Sequence, residues 1–176
     1  MSRLIEAVSY AARKHVHQRR KGANAEPYVN HVIDVAERVS RSPLADEDVV
    51  IAALLHDVVE DTDGTAADIA LMFGDRVAGL VLEVTDDKSL PKARRKEVQE
   101  QTAGLKSDGA KRIKLADKAS NLTALAESPP VYWEPSRSAA YVAWAERVVA
   151  GCRGIDPVLE AGFDTAAVRA KAALGL

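Results

Sequence analysis

The stretch Val49-Val-Ile-Ala-Ala-Leu-Leu-His-Asp-Val-Val-Glu-Asp-Thr62 joins an unbroken apolar run to four side chains that can bind metals or exchange protons. The seven apolar residues from Val49 to Leu55 predict a buried helix. His56 and Asp57 follow directly, which indicates that the polar end of this helix emerges into a cleft rather than into bulk water. Because a buried carboxylate needs a partner, and a divalent cation is a natural one, the stretch predicts an active site that holds a metal.

The spacing of the four polar residues supports this interpretation. Residues four apart share one face of an α-helix, so a continuous helix places His56 over Glu60 and Asp57 over Asp61. Taken singly, a histidine or an aspartate near a helix end is more often a cap or a surface group. The joint pattern instead predicts one pocket wall that carries both metal ligands and acid–base groups.

Helical periodicity recurs along the whole chain, and no segment alternates as a strand does. The sequence therefore predicts an all-α protein with one domain over residues 1–176. The predicted helices cover residues 3–18, 28–41, 47–59, 65–73, 75–84, 110–126 and 135–150, and Asp156-Pro157 and Asp164 are expected to open two short terminal helices.

Composition excludes several classes of protein. Hydrophobic residues make up 47% and charged residues 28% of the 176 residues, which is typical of a globular domain. The net charge of −2 gives no basis for binding nucleic acid or an anionic membrane. Cys152 is the only cysteine, so no internal disulfide can form, and no apolar stretch approaches the roughly twenty residues that cross a bilayer. We therefore expect a cytoplasmic protein.

Two further residues complete a candidate set of metal ligands. His31 lies near the start of the second predicted helix, and Asp117 lies on the helix over 110–126. Taken alone, Asp117 would be a surface ion-pair residue between two lysines. If His31, His56, Asp57 and Asp117 converge, two imidazoles and two carboxylates leave positions open for water and substrate. This thiolate-free set suits one Mn²⁺, Fe²⁺ or Zn²⁺ ion, and the two carboxylates favour Mn²⁺.

A calcium-binding loop is the competing metal site. Asp61, Asp63 and Gly64 match part of an EF-hand loop. With Gly64 at the sixth position of that loop, the first and twelfth positions fall on Val59 and Ala70. Neither residue carries the carboxylate that those positions require, so the sequence excludes an EF-hand.

Several spaced motifs together resemble the hydrolase domain of the RelA/SpoT family, a branch of the HD superfamily. The resemblance covers about residues 5–155 and is carried by Arg20-Lys21, Pro27-Tyr-Val-Asn-His31, Leu54-Leu-His-Asp-Val-Val-Glu-Asp-Thr62, Phe73-Gly, Val84-Thr-Asp-Asp-Lys88 and Lys114-Leu-Ala-Asp-Lys-Ala-Ser-Asn-Leu122. It implies a compact helical bundle of about 8–10 helices, with the last helices over 156–176. It also implies a stand-alone alarmone hydrolase without a synthetase domain.

The same resemblance assigns roles to residues. It implies the four metal ligands already named, with Glu60 and Asp61 positioning water and handling its proton. The expected substrate contacts are Arg20, Lys21, Lys88, Lys92, Asn121, Arg137 and Tyr141. Family members remove pyrophosphate from the 3′ position of guanosine tetra- or pentaphosphate with Mn²⁺. The expected partner is thus a small nucleotide, bound by a monomer or a homodimer.

Three segments differ from the commonest sequence of the family: residues 22–26, the pair Ala119-Ser120 and the proline-rich segment 128–135. These differences do not affect the expected metal ligands. Because of them, two other substrates remain as alternatives, an adenosine alarmone such as (p)ppApp and NADPH. A non-catalytic nucleotide-binding module is the third hypothesis, but binding alone does not require the acid–base pair. Arg94, Arg95 and Lys96 are expected to form a solvated helix face.

Overall fold

The computed structural model describes residues 2–176, and in this part of the chain it contains helices and two isolated bridge pairs but no strand. This confirms the predicted all-α class. No helix over residues 2–176 combines the length and the hydropathy needed to span a bilayer. The helices are α1 (Arg3–Lys14), α2 (Val29–Ser40), α3 (Glu47–Leu55), α4 (Val58–Asp61), α5 (Ala66–Phe73), α6 (Asp75–Val84), α7 (Lys92–Thr102), a 3₁₀ turn (Ala103–Leu105), α8 (Asp108–Glu127), α9 (Pro135–Ala150) and α10 (Pro157–Leu174).

The 20-residue helix α8 connects two hydrophobic cores. Its residues Ile113 and Ala116 pack into a core built mainly from α1 to α6. Leu115 and Leu122 pack into a second core formed with α9 and α10. Because two faces of α8 are apolar and buried, its remaining polar face is directed at the space between the two cores. The site described below lies there.

The buried helix predicted over 47–59 is interrupted, which corrects that prediction. Asp46 caps the start of α3 by accepting from the amide of Val49 at 3.2 Å, and α3 then ends at Leu55. The ring of His56 donates through Nδ1 to the carbonyl of Ala53 at 2.7 Å, which is the acceptor that a continuing helix offers to Asp57. The chain turns at His56-Asp57 and resumes as α4.

Two other helices differ from the sequence analysis: one had been given no bounds there, and the prediction for the other was wrong. The charged segment that starts at Lys92 forms α7. This helix lacks a strong apolar stripe, and none of its residues is buried. The C-terminal region forms one helix instead of two. Asp156 caps its start, and Asp164 lies on its exposed side paired with Arg153, so the chain does not break there.

Two loops pair beside the polar face of α8. The amide of Val131 donates to the carbonyl of Lys21 at 3.2 Å, and Gly22 forms a bridge with Pro130. A Cβ atom on Gly22 would lie 2.2 Å from the hydroxyl oxygen of Ser128, so only glycine permits this approach. The pairing holds the basic residues near position 20 against the proline-rich segment.

Candidate metal centre and active-site cleft

Four predicted ligands from separate elements meet at one point between the cores. His31 comes from α2, His56 and Asp57 from the turn between α3 and α4, and Asp117 from α8. Nε2 of His31 lies 3.4 Å from Oδ1 of Asp117 and 3.8 Å from Oδ2 of Asp57. Nε2 of His56 lies 3.1 Å from Oδ2 of Asp57 and 3.9 Å from Oδ1 of Asp117. The structure thus brings together all four residues.

Hydrogen bonds orient both imidazole rings toward this point. Nδ1 of His31 contacts the hydroxyl of Ser120 at 2.9 Å, and Nδ1 of His56 donates to Ala53. Each ring therefore directs Nε2 at the shared centre, in the way that a ligand histidine is usually held. Nε2 of His56 is buried without a hydrogen-bond partner, because the close Asp57 oxygen is not aligned with it.

The two carboxylates are also held in place. Tyr28 donates its hydroxyl to Oδ2 of Asp57 at 2.5 Å. Asn121 donates to Oδ1 of Asp117 at 2.6 Å, and Lys118 contacts the other oxygen at 2.8 Å. Both aspartates are consequently prearranged to present an oxygen to the centre.

The charges at the centre favour a cation. Burial lowers the pKa of His31, and burial would do the same to His56, but the carboxylates of Asp57 and Asp117 raise the pKa of His56 to about 9. Burial opposes ionisation of both aspartates, yet the charges around them, His56 for Asp57 and Lys118 for Asp117, hold both pKa values below the usual range. Two carboxylates thus attract a positive charge to Nε2 of His56.

This donor set fits a divalent metal ion. Ligand atoms of His31, His56 and Asp117 lie within 4.8 Å of one another, and Asp57 adds a second carboxylate. An imidazole nitrogen that is buried and unpartnered is costly unless something binds it. Imidazole and carboxylate donors without a thiolate are typical ligands for Mn²⁺, Fe²⁺ and Zn²⁺.

Glu60 and Asp61 lie beside the centre in different surroundings. Both oxygens of Asp61 are engaged, by Lys88 at 2.5 Å and by Gln18 at 3.0 Å. Oε2 of Glu60 accepts from the amide of Asp86 at 3.0 Å, and its other oxygen has only the distant cations of Lys88 and Arg95. Burial raises the pKa of Glu60. Glu60 therefore has the freer carboxylate of the two, and its burial favours the uptake of a proton.

A cleft of about 350 Å³ leads away from the centre. Six of the seven predicted substrate contacts line it: Arg20, Lys21, Lys92, Asn121, Arg137 and Tyr141. Aromatic faces supply its apolar part, with the guanidinium of Arg137 4.5 Å from the ring centre of Trp133. The seventh residue, Lys88, does not line this cleft but pairs with Asp61 and lies 3.8 Å from Glu60, and its contact with the substrate stays a prediction.

Three residues near the site were missed or misplaced by sequence reasoning. Lys96 was expected on a solvated face, but it lines the cleft and lies 4.5 Å from the ring centre of Trp144. Ser120 belongs to a segment that was expected to leave the metal site unchanged, yet it contacts a ligand histidine. Tyr28 lies within a quoted motif but was given no role. Helical spacing places Ser120 one residue before Asn121 and three after Asp117, a signal that could have drawn attention to it.

Known proteins are similar to this chain in both sequence and fold. The model of the HD domain family matches residues 7–140. The guanosine-3′,5′-bis(diphosphate) 3′-pyrophosphohydrolases MESH1 of Drosophila melanogaster and Homo sapiens are each 48% identical, over 93% and 90% of this chain and 92% and 89% of their own lengths. A solved structure of a metazoan orthologue of SpoT that hydrolyses ppGpp superposes with a TM-score of 0.90 at 47% identity, covering 94% of both chains.

The matched segment contains all four converging residues and the Glu60-Asp61 pair. The superposition over 94% of both chains agrees with one compact helical bundle. On this sequence and structural likeness, the chain belongs to the HD-domain family.

Proposed function

We propose that the protein is a metal-dependent hydrolase that removes the 3′-pyrophosphate of guanosine tetra- or pentaphosphate, releasing pyrophosphate and GDP or GTP. The observation that carries the proposal is the convergence of His31, His56, Asp57 and Asp117 beside a small cavity that adjoins a cation-lined cleft. The activities named for the relatives support the same substrate. Mn²⁺ is the proposed ion, with Fe²⁺ and Zn²⁺ as the alternatives that the ligands also suit.

The cleft accounts for the binding of a nucleotide with several phosphates. Trp133 and Tyr141 offer aromatic faces to a base or ribose, with their ring centres 5.5 Å apart. Lys21, Lys92 and Arg137 supply cations for the phosphates on the 5′ side. We propose that the nucleoside lies among these residues and that its 3′ substituent extends to the metal ligands.

The chemistry follows from the groups at the inner end. A divalent ion held by the four ligands supplies Lewis-acid stabilisation of charge that develops on the phosphoryl oxygens. Glu60 takes a proton from the water that attacks the phosphorus bonded to the 3′ oxygen, since burial makes this carboxylate a stronger base. The bond between phosphorus and the 3′ oxygen breaks, pyrophosphate leaves with the oxygen of the attacking water, and the proton taken up by Glu60 passes to the 3′ oxygen. Asp61 is held by Lys88 and Gln18, and its fixed carboxylate helps to position the attacking water.

A parallel assay tests reaction and substrate together. The purified protein is incubated with Mn²⁺ and with ppGpp, ppApp or NADPH, and the released pyrophosphate or phosphate is identified. We expect metal-dependent release of pyrophosphate from ppGpp, which chelation of the metal abolishes. Release of orthophosphate from NADPH without turnover of either alarmone would contradict the proposal, as would tight binding of ppGpp with no product.

A variant of Glu60 tests the assignment of the base. Glu60→Gln removes the proton acceptor but keeps the size of the side chain, so the turnover rate should fall by about 10²- to 10⁴-fold while the metal stays bound. Glu97→Gln, on the exposed side of α7, is the matched control and should retain the wild-type rate. Equal rates for Glu60→Gln and wild type would refute the role.

A further inference from the structure

Lys114 is a buried cation without a counter-ion. Only 5% of this residue is exposed, and its ammonium lies 3.4 Å from two neutral acceptors, the carbonyl of Val84 and the side-chain oxygen of Gln99. Within residues 2–176 no carboxylate oxygen comes within 4 Å of it, whereas neighbouring Lys118 contacts Asp117 at 2.8 Å. Lysines are almost never buried unless they are paired, so the unpaired charge needs an explanation.

A hydrogen-bonded chain engages the carboxylates that could have paired with Lys114. Gln99 donates to Asp86 at 2.7 Å, and this bond directs the amide oxygen of Gln99 toward Lys114. The amide of Asp86 in turn donates to Glu60 at 3.0 Å. The ammonium of Lys114 is therefore next to the neutral amide oxygen of Gln99 and not next to a carboxylate. Burial, together with the charge of Lys118, lowers the pKa of Lys114 to about 8, and an anion beside it would offset that cost.

The position of Lys114 indicates which anion would arrive. It lines an inner cavity of about 170 Å³ together with His56, Asp57 and Asp117. This cavity shares Asn121 and two other lining residues with the larger cleft, so the two spaces are continuous at the metal ligands. A nucleotide whose base lies in the larger cleft, and whose reacting phosphorus lies at the metal ligands, directs anything beyond that phosphorus into the inner cavity.

We propose that Lys114 binds the terminal phosphate of the substrate's 3′-pyrophosphate and thereby makes the site selective for a pyrophosphoryl over a monophosphoryl group. This inference rests on the proposed function, because it assumes that the reacting phosphate lies at the metal ligands. The acidic groups of the inner cavity have partners of their own within the chain. Asp61 pairs with Lys88 and Asp117 with Lys118, while Asp57, Asp86 and Glu60 accept from Tyr28, from Gln99 and from the amide of Asp86.

The test compares two ligands that differ by one phosphate. Inorganic pyrophosphate and guanosine 3′,5′-bisphosphate, which carries a single phosphate on its 3′ oxygen, are titrated calorimetrically into the metal-loaded protein. Lys114→Met should weaken the binding of pyrophosphate about tenfold or more, as expected for loss of a hydrogen bond to a charged group, and should change the affinity for the bisphosphate less than about twofold. With ppGpp as substrate, KM should rise with the loss of pyrophosphate affinity.

Lys111→Met is the matched control, because Lys111 lies one turn away on α8, carries the same charge and lines neither cavity. It should leave both affinities unchanged. Unchanged pyrophosphate affinity in Lys114→Met would overturn the proposal, and so would an equal loss for both ligands, since that indicates a general electrostatic effect.

The variants also separate this proposal from a structural role and from the proposed function. Removing an unpaired buried charge should leave the melting temperature unchanged or raise it, and Lys114→Gln repeats the test with a polar side chain. If both neutral variants lose the fold while Lys111→Met keeps it, Lys114 is a structural residue and the proposal fails. If the wild-type protein binds pyrophosphate through Lys114 but hydrolyses no alarmone, the proposed function fails while the subsite stands.

Discussion

Two buried polar clusters in this molecule differ in how completely their hydrogen bonds are satisfied. Asp156 is fully buried, and it accepts from Ser42, from Arg112 at 3.0 Å and from the amide of Leu159 at 3.2 Å. At the candidate metal centre, by contrast, Nε2 of His56 has no hydrogen-bond partner, and ligand atoms of His31, His56 and Asp117 lie within 4.8 Å of one another. The first cluster is complete within the chain, whereas the second requires something from outside.

The comparison shows how a buried charged group with a structural role differs from one with a functional role. Asp156 connects the segment after α2 with α8 and α10, because it links Ser42 and Arg112 to the start of the last helix. Both of its oxygens accept hydrogen bonds within the chain, and the side chain is fully buried, so it is not open to a ligand. The imidazoles at the metal centre use Nδ1 for the protein and keep Nε2 for the shared point. Convergence of unused donors, rather than burial or charge alone, marks the functional cluster.

Removing a ligand should produce the largest effect. Asp57→Ala deletes one of the four donors, and we expect loss of the metal and a fall in turnover on the order of 10³-fold or more, because the ion supplies several kcal/mol of stabilisation. Metal content by elemental analysis and the rate of pyrophosphate release measure this. Asp63→Ala, which removes an exposed carboxylate paired with Lys14, is the control. An Asp57→Ala protein with full metal content would show that the cluster does not need this ligand.

Removing the charge of Asp156, in the cluster whose hydrogen bonds are satisfied within the chain, should instead affect only the stability of the fold. Asp156→Asn removes the charge that neutralises Arg112, whose side chain is only 11% exposed, so the free energy of unfolding should fall by about 3 kcal/mol. Denaturant titration measures this, and metal affinity should not change. Asp164→Asn breaks an exposed pair with Arg153 and should cost less than about 1 kcal/mol. If Asp156→Asn lost metal while remaining folded, the two clusters would be coupled rather than distinct.

A weaker perturbation of the metal centre concerns Ser120. Ser120→Ala removes the partner of Nδ1 of His31, so the ring loses its orientation, and metal affinity should fall about 10- to 100-fold. Competition with a chelating dye measures the affinity. Ser138→Ala, at a buried serine of α9, should leave it unchanged. Equal affinity in the Ser120 variant would mean that packing, not this hydrogen bond, orients the ring.

The last effect is graded with pH and reaches only about tenfold for each pH unit. The pKa of His56 is raised to about 9, so the metal-free protein carries a proton on Nε2 below that pH, and an ion must displace it. Metal affinity should therefore rise with pH, by about tenfold per unit between pH 6.5 and 8.5, as one proton is released. Dye competition across this range gives the slope. A flat profile would indicate that His56 is neutral before the ion binds.

Much of the fold could be predicted because apolar periodicity is a local property. The helix over 135–150 was placed at its observed bounds, and α6 likewise. The interruption after Leu55 could not be predicted, since it depends on a side-chain bond from His56 that replaces a backbone bond. Helix α7 was missed for a different reason. Its stability comes from contacts such as the indole of Trp144 donating to the carbonyl of Lys96 at 3.2 Å, across 48 positions of sequence.

Some residues of the candidate site could likewise be predicted from the sequence, and others could not. Residue types together with their spacing indicated His31, His56, Asp57 and Asp117, because imidazoles and carboxylates that recur beside apolar runs jointly favour a metal site. The cations were harder to assign, because a run of lysines and arginines does not reveal which face of its helix packs against the protein. Lys96 lines the cleft, while Lys88 does not line it and pairs with Asp61.

The amino-acid sequence by itself determined the helical class, the apolar stripes of most helices and the chemical character of the ligands, since these depend on composition and on spacing within a few turns. The tertiary structure decided which donors share one centre, which carboxylates are satisfied and which lysine remains without a partner. Those properties depend on distances between α2, α4, α7 and α8, which are far apart in the chain. Only the packing of both cores against α8 brings them within reach of one another.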